Sequence, residues 1–166
     1  TYKAHCPSSN MRLGSGIWRV RDMLDRGINV GIGVDGSASN DSSDMLGEMR
    51  QALLLQRVKY GSTSLSARDV FKMASENGAK MLNFGNLGKL EVGWGADLAL
   101  FDVSTLEYAG SQTDPVASLL FCGTKHETKY TIVNGEFAVY DGKLVGWDEE
   151  ELAYKGREAS RKLLSK

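Results

Sequence analysis

The hydrophobic positions of the chain change period several times, and each change predicts an element. Residues 1–6 form a short mixed run that ends at Pro7, which suits a strand entering a loop. Pro7-Ser8-Ser9-Asn10 is rich in turn formers. Ile17, Val20, Met23 and Leu24 then fall at helical spacing, with Gly27 as a stop. Val30, Ile32 and Val34 alternate with glycines and predict a buried strand over 29–34. A polar loop, 35–44, precedes a second amphipathic helix carrying Met45, Leu46, Met49, Leu53 and residues 56–58, closed by Gly61. Strands alternating with helices predict parallel βα units and an α/β fold. Ser66 is placed to cap a further helix through Val70, Met73, Ala74 and Asn77, which Gly78 interrupts or ends.

Near Gly85 the character changes. Glycines at 85, 88, 93 and 95 punctuate the chain, and residues 97–102 read as a short apolar strand. Residues 131–133 and 136–140 flank Asn134-Gly135, a strong hairpin signal, and Asp141-Gly142 begins another turn. A charged helix is expected over roughly 148–164, with Leu152, Ala159, Leu163 and Leu164 as its apolar positions.

Composition narrows the classes. The 166 residues carry 25% charged and 42% hydrophobic side chains, as in ordinary globular domains. A net charge of −1 offers no field for nucleic acid or a membrane surface. No apolar run approaches the ~20 residues needed to cross a bilayer. The opening Thr1-Tyr2-Lys3 has no signal peptide and no initiator methionine, so a fragment or processed chain is expected. Cys6 and Cys122 form no C-x-x-C pair and read as reduced thiols of a cytoplasmic protein. The sequon Asn40-Asp41-Ser42 is discounted, since nothing else suggests secretion.

Among residues able to do chemistry, Asp35 stands out. It follows a predicted buried strand and opens a polar loop, where a carboxylate can bind a metal and accept a proton from metal-bound water. A capping or loop-bracing aspartate also suits the position. Residues 31–36 match G-x-G-x-x-G, but the first glycines lie inside the strand and no helix follows directly, which argues against a dinucleotide site. His5 and Cys6 end the first strand and could line a pocket there; a hydrogen-bonded structural His5 is the alternative. His126 lies in a charged stretch and reads as a surface residue. Asp41 and Asp44 are expected to cap the helix at Met45, and Trp18, Trp94 and Trp147 to serve packing. With two histidines, a His-rich zinc site cannot be built from this chain alone.

Three segments together carry a family resemblance. Residues 5–16 (HCPSSNMRLGSG) resemble the loop after the seventh barrel strand of the amidohydrolase superfamily. Residues 31–41 (GIGVDGSASND) resemble the eighth strand and its loop, and residues 91–101 (EVGWGADLALF) the return into the small β domain. The likeness is to the chlorohydrolase/deaminase branch. Within it, Tyr108-Ala109-Gly110, Asp114-Pro115-Val116-Ala117 and Phe121-Cys122-Gly123 look most like the 8-oxoguanine deaminases. Trp94 departs from the lysine or small polar residue more usual there.

The resemblance implies the C-terminal fragment of a distorted (β/α)₈ barrel with a small β-sandwich domain. Residues 1–88 would supply the last two βα units and following helices, 89–147 half of the β domain, and 148–166 a terminal helix. It implies hydrolytic deamination of a purine-like or triazine ring, of the 8-oxoguanine or guanine type, with zinc, or alternatively iron, as cofactor. Asp35 would be metal ligand and proton shuttle, while His5, Ser9, Asn10 and Arg12 are candidate contacts to a small nitrogen heterocycle. The family's remaining metal-binding histidines precede everything present here. The chain alone is therefore expected to be inactive. It would form a homo-oligomer or pair with the missing N-terminal barrel portion, through apolar helix faces such as Met45, Met49 and Leu53. The rival expectation is a catalytically silent domain or assembly module.

Overall fold

The structure, a computed structural model, describes residues 1–165. Its contacts divide the chain into two units: Thr1–Gly95 with Val103–His126, and Ala96–Asp102 with the chain from Glu127 onward. These divisions differ from the boundaries at 88 and 147 that the family resemblance implies.

In the first unit, strands β1 (Tyr2–His5) and β2 (Asn29–Ile32) pair in parallel, from Tyr2 opposite Asn29 to His5 opposite Ile32. Two short helices, α1 (Pro7–Arg12) and α2 (Val20–Asp25), connect them. The turn expected at Pro7 is instead the first turn of α1. Proline at the opening position of a helix loses only an N–H that has no intrahelical partner. Helix α2 begins three residues later than its apolar spacing suggested, because Gln56 holds the preceding backbone: its Oε1 accepts from Val20 N at 3.1 Å and its Nε2 donates to Trp18 O at 2.6 Å. Gly27, at φ +71°, reverses the chain after α2.

Helix α3 (Met45–Tyr60) is the spine of this unit, packing on α1, on helix α4 (Ala67–Lys72) and on helix α6 (Pro115–Phe121). It is capped by Asp44, whose carboxylate accepts from Gly47 N at 3.0 Å. Asp41, expected to share that duty, pairs with Arg12 instead. Met49 and Leu53 are buried within this chain, so of the face expected to be bare only Met45 is exposed. Ser66 forms the expected cap, in a reciprocal box with Asp69. Gly78 does not end that helix: a π-helical turn, Met73–Asn77, leads into α5 (Gly78–Met81). The wider turn brings Asn77 against β2, where its Nδ2 donates to Val30 O at 2.9 Å and its carbonyl accepts from Asn29 Nδ2 at 2.9 Å. Helix α5 lies close to the same strand: a Cβ at Gly31 would be 3.1 Å from the Met81 side-chain tip and 3.5 Å from Gly78 Cα.

The second unit is a four-stranded antiparallel sheet in the order β3 (Leu98–Leu100), β4 (Tyr130–Val133), β5 (Glu136–Tyr140), β6 (Lys143–Leu144). Asn134 and Gly135 both have positive φ and turn β4 into β5, as their sequence demands. Tyr130, Phe137 and Tyr140 form an edge-to-face cluster with centroids 5.2–6.1 Å apart. The terminal helix α7 (Glu149–Leu164) is capped by Asp148 and buries no residue. Trp147, expected to pack, is exposed. Among the described residues no helix is long and apolar enough to cross a membrane, and both cysteines are free.

Candidate active site around Asp35

Asp35 stands just beyond β2, exposed, with a left-handed backbone at φ +66°. Few non-glycine residues adopt this conformation, and aspartate is among those that tolerate it. Its carboxylate is nonetheless firmly held. Oδ2 accepts from Ser9 Oγ at 2.6 Å and from Ser39 Oγ at 3.1 Å; Oδ1 accepts from Gly36 N at 2.8 Å. The Ser9 hydroxyl, then the Gly36 amide and the Ser39 hydroxyl, lower its pKa below the ordinary aspartate value. A carboxylate has about four lone-pair positions. Three are engaged, although the Ser39 proton is shared with Gly36 O at 3.1 Å, and one on Oδ1 remains for a further partner.

Ser9 reaches Asp35 because α1 starts directly after β1, so the two strand ends, parallel and in register, deliver α1 and the 35–44 loop to the same side. The loop is pinned by Asn40, which donates through Nδ2 to Val34 O at 2.8 Å and to Glu48 Oε1 at 2.8 Å. Glu48 is almost fully buried in α3 and also accepts from Ser8 N at 3.1 Å. Sequence reasoning met Asn40 only in a discounted sequon and within the loop motif, and did not single out Glu48. The signal was present: Glu48, Ala52 and Gln56 fall four apart, beside the Met49–Leu53 stripe, so two polar residues share the buried face.

The other candidate residues are placed as follows. His5 is fully buried and stacks on Trp18 with centroids 5.9 Å apart. Burial lowers its pKa to about 4, so the ring is neutral. Ser9 is buried and bonded to Asp35. Asn10, on the same helix, has no protein partner at Nδ2. Arg12 is exposed and ion-paired with Asp41. Cys6 has its thiol pKa raised, first by burial and then by Asp35 and Glu48. His126, expected at the surface, is largely buried and its Nδ1 lies 2.5 Å from Asp44 Oδ2.

As a metal site the arrangement is incomplete. Asp35 fits the part of one oxygen ligand, ionised and with a lone pair to spare. Yet the described residues hold no group of three His, Cys, Asp or Glu side chains placed to bind a metal ion. Catalytic zinc usually takes three protein ligands.

The chain is similar to known proteins over nearly all of its length. The profile of the amidohydrolase family matches residues 2–138. The 8-oxoguanine deaminase of Pseudomonas aeruginosa is 41% identical over 161 residues, covering 97% of this chain and 35% of that protein. An adenosine deaminase from Xanthomonas campestris, solved with bound zinc, superposes with a TM-score of 0.93 at 30% identity, over 99% of this chain and 38% of that one. Atrazine chlorohydrolase from Arthrobacter aurescens, complexed with zinc, gives a TM-score of 0.87 at 34% identity, over 92% of this chain and 34% of that one. The chain thus spans little more than a third of each of these proteins.

Proposed function

Because this chain belongs to the amidohydrolase family, we propose that it is part of a longer enzyme that hydrolytically deaminates a purine-like ring of the 8-oxoguanine type, or a related nitrogen heterocycle. In this reading β1 and β2 are the last two strands of a (β/α)₈ barrel, and the antiparallel sheet is half of a small β domain. The observation that carries it is Asp35: an exposed, ionised carboxylate held by three donors at the C-terminal end of a parallel strand. In barrel enzymes that is the end at which chemistry is done.

Zinc, the metal in both structural relatives named above, would supply an activated water when bound. Asp35 would provide one ligand, with the others lying outside this chain. Asp35 accepts a proton at its carboxylate as the nucleophile forms, and returns it toward the departing amine. Its depressed pKa keeps it in the acceptor form at neutral pH. The fixed bonds from Ser9, Gly36 and Ser39 orient the carboxylate so that little reorganisation is needed.

Taken by itself, the chain supports a second reading, that of a catalytically silent folded domain or an assembly module. The absence of a three-ligand cluster among the described residues favours it for the isolated chain. One experiment addresses both readings. Ammonia release is measured from 8-oxoguanine, guanine, adenosine and aminotriazines, with the longer protein and with this chain alone. Turnover by the longer protein and none by the chain is expected. No release from any ring by the longer protein would overturn the deaminase reading, and turnover by the chain would overturn its silence.

A further inference from the structure

Glu48 is a carboxylate on the inner face of α3, only 1% exposed. A buried charge is tolerated when it is well bonded, and both partners of Glu48 are donors. Oε2 accepts the Ser8 N–H at 3.1 Å, and Oε1 accepts from Asn40 Nδ2 at 2.8 Å. Neither donor can change its role. Ser8 offers a backbone amide. The Asn40 amide is fixed in orientation, since its Oδ1 accepts from Ser42 N at 3.2 Å and Ser42 Oγ at 3.0 Å while its Nδ2 also donates to Val34 O.

Each of these two donors belongs to a segment that bonds Asp35. Ser8 precedes Ser9, whose hydroxyl donates to Asp35 at 2.6 Å. Its N–H opens α1, a helix that has no side-chain cap of its own. Asn40 ties the loop that carries Gly36 and Ser39, the other two donors to Asp35. One carboxylate therefore fixes both segments from which the aspartate is held. We propose that Glu48 is a positioning residue for Asp35, acting through Ser8–Ser9 on one side and Asn40 on the other. The inference rests on the deaminase reading for its catalytic consequence, but not for the geometry.

Glutamine is the informative replacement. Its size is unchanged, yet it presents one acceptor and one donor where the site offers two donors, so one contact becomes a donor–donor clash. In the intact longer protein Glu48→Gln is expected to lower kcat about 10–100-fold, the scale for a misplaced catalytic group, with KM within about three-fold. If Glu48 works through Ser9, a double-mutant cycle will be non-additive: Glu48→Gln in a Ser9→Ala background should cost much less than it does alone. An unchanged kcat, a loss confined to KM, or full additivity with Ser9→Ala would overturn the proposal.

Site-resolved hydrogen exchange on the same proteins needs no turnover. The amides of Ser8 and Gly36 should exchange about ten-fold faster or more in Glu48→Gln, as local opening predicts. The Val20 amide, bonded to Gln56 two turns further along α3, should not change. Unchanged protection at Gly36, or equal acceleration at Val20, would show a merely structural Glu48 and contradict the inference. A wild-type protein that deaminates nothing would sink the function reading alone, and the exchange result would still decide this one.

Discussion

His5 shows how a single residue is set by its surroundings. Fully buried against Trp18, with its pKa lowered to about 4, it stays neutral in the folded chain when a free histidine would already be charged. Between pH 6.5 and 4 the unfolded chain binds a proton that the folded one refuses, so stability present above pH 6.5 is lost as the pH falls through this window. A displacement of that size corresponds to roughly 3 kcal/mol at its acid end. His5→Phe keeps a ring for Trp18 and removes the titration. It should flatten the fall in denaturation midpoint between pH 7 and 4.5, and an unaltered pH profile would show that His5 is not the source. Legibility at this scale was uneven. Asp35 could be found because it follows an apolar strand and opens a polar loop. The spacing of Glu48 with Ala52 and Gln56 marks a polar residue on the buried face of α3, but its partners were not legible, because they are a backbone amide forty residues away and the Asn40 side chain eight residues away. Asp41 and Asp44 looked alike as caps, and only the fold decides that one meets Arg12 and the other Gly47 and His126.

Elements with a clear period and a clear stop were readable: α3 with its Asp44 cap and Gly61 exit, the capped start of α4, and the Asn134-Gly135 hairpin. The elements that escaped are those whose ends are set by distant contacts. Pro7–Arg12 has turn composition but is helical, with Glu48 receiving one of its opening amides. The π-helical turn at Met73–Asn77 exists where Asn77 meets the β2 backbone, which no local pattern announces. Gly88 belongs to the same region. It has φ +92°, and a Cβ there would lie 2.9 Å from Glu76 Cα, Glu76 N and Ser75 C, all backbone atoms. Gly88→Ala should therefore destabilise the chain by about 1–3 kcal/mol, the range for overpacking, with strain from positive φ in addition. Urea denaturation measures it, and a change below about 0.5 kcal/mol, the level of neutral surface substitutions, would show that the turn can shift freely.

For the whole molecule, the α/β class followed from alternating strands and helices, but the size of the sheets did not. β1 and β2 make a parallel sheet of only two strands, whereas parallel sheets are normally extended and covered on both faces. Leu82, Phe84, Leu90 and Val92 are exposed in the same unit, and open strand edges with apolar surface invite association. We therefore expect the isolated chain to form dimers or larger species by light scattering at high concentration; a monodisperse monomer would contradict this. The central claim concerns Asp35, and the most direct measurement is kcat/KM for the Asp35→Asn variant of the longer protein, at saturating zinc, with thermal melting as control. Asparagine matches aspartate in size but cannot take up a proton and is a poorer ligand. The account predicts a fall of ~10²–10⁴-fold or more with a nearly unchanged melting temperature. Near-normal turnover would mean that Asp35 only braces its loop, a task asparagine can share, and would contradict the account.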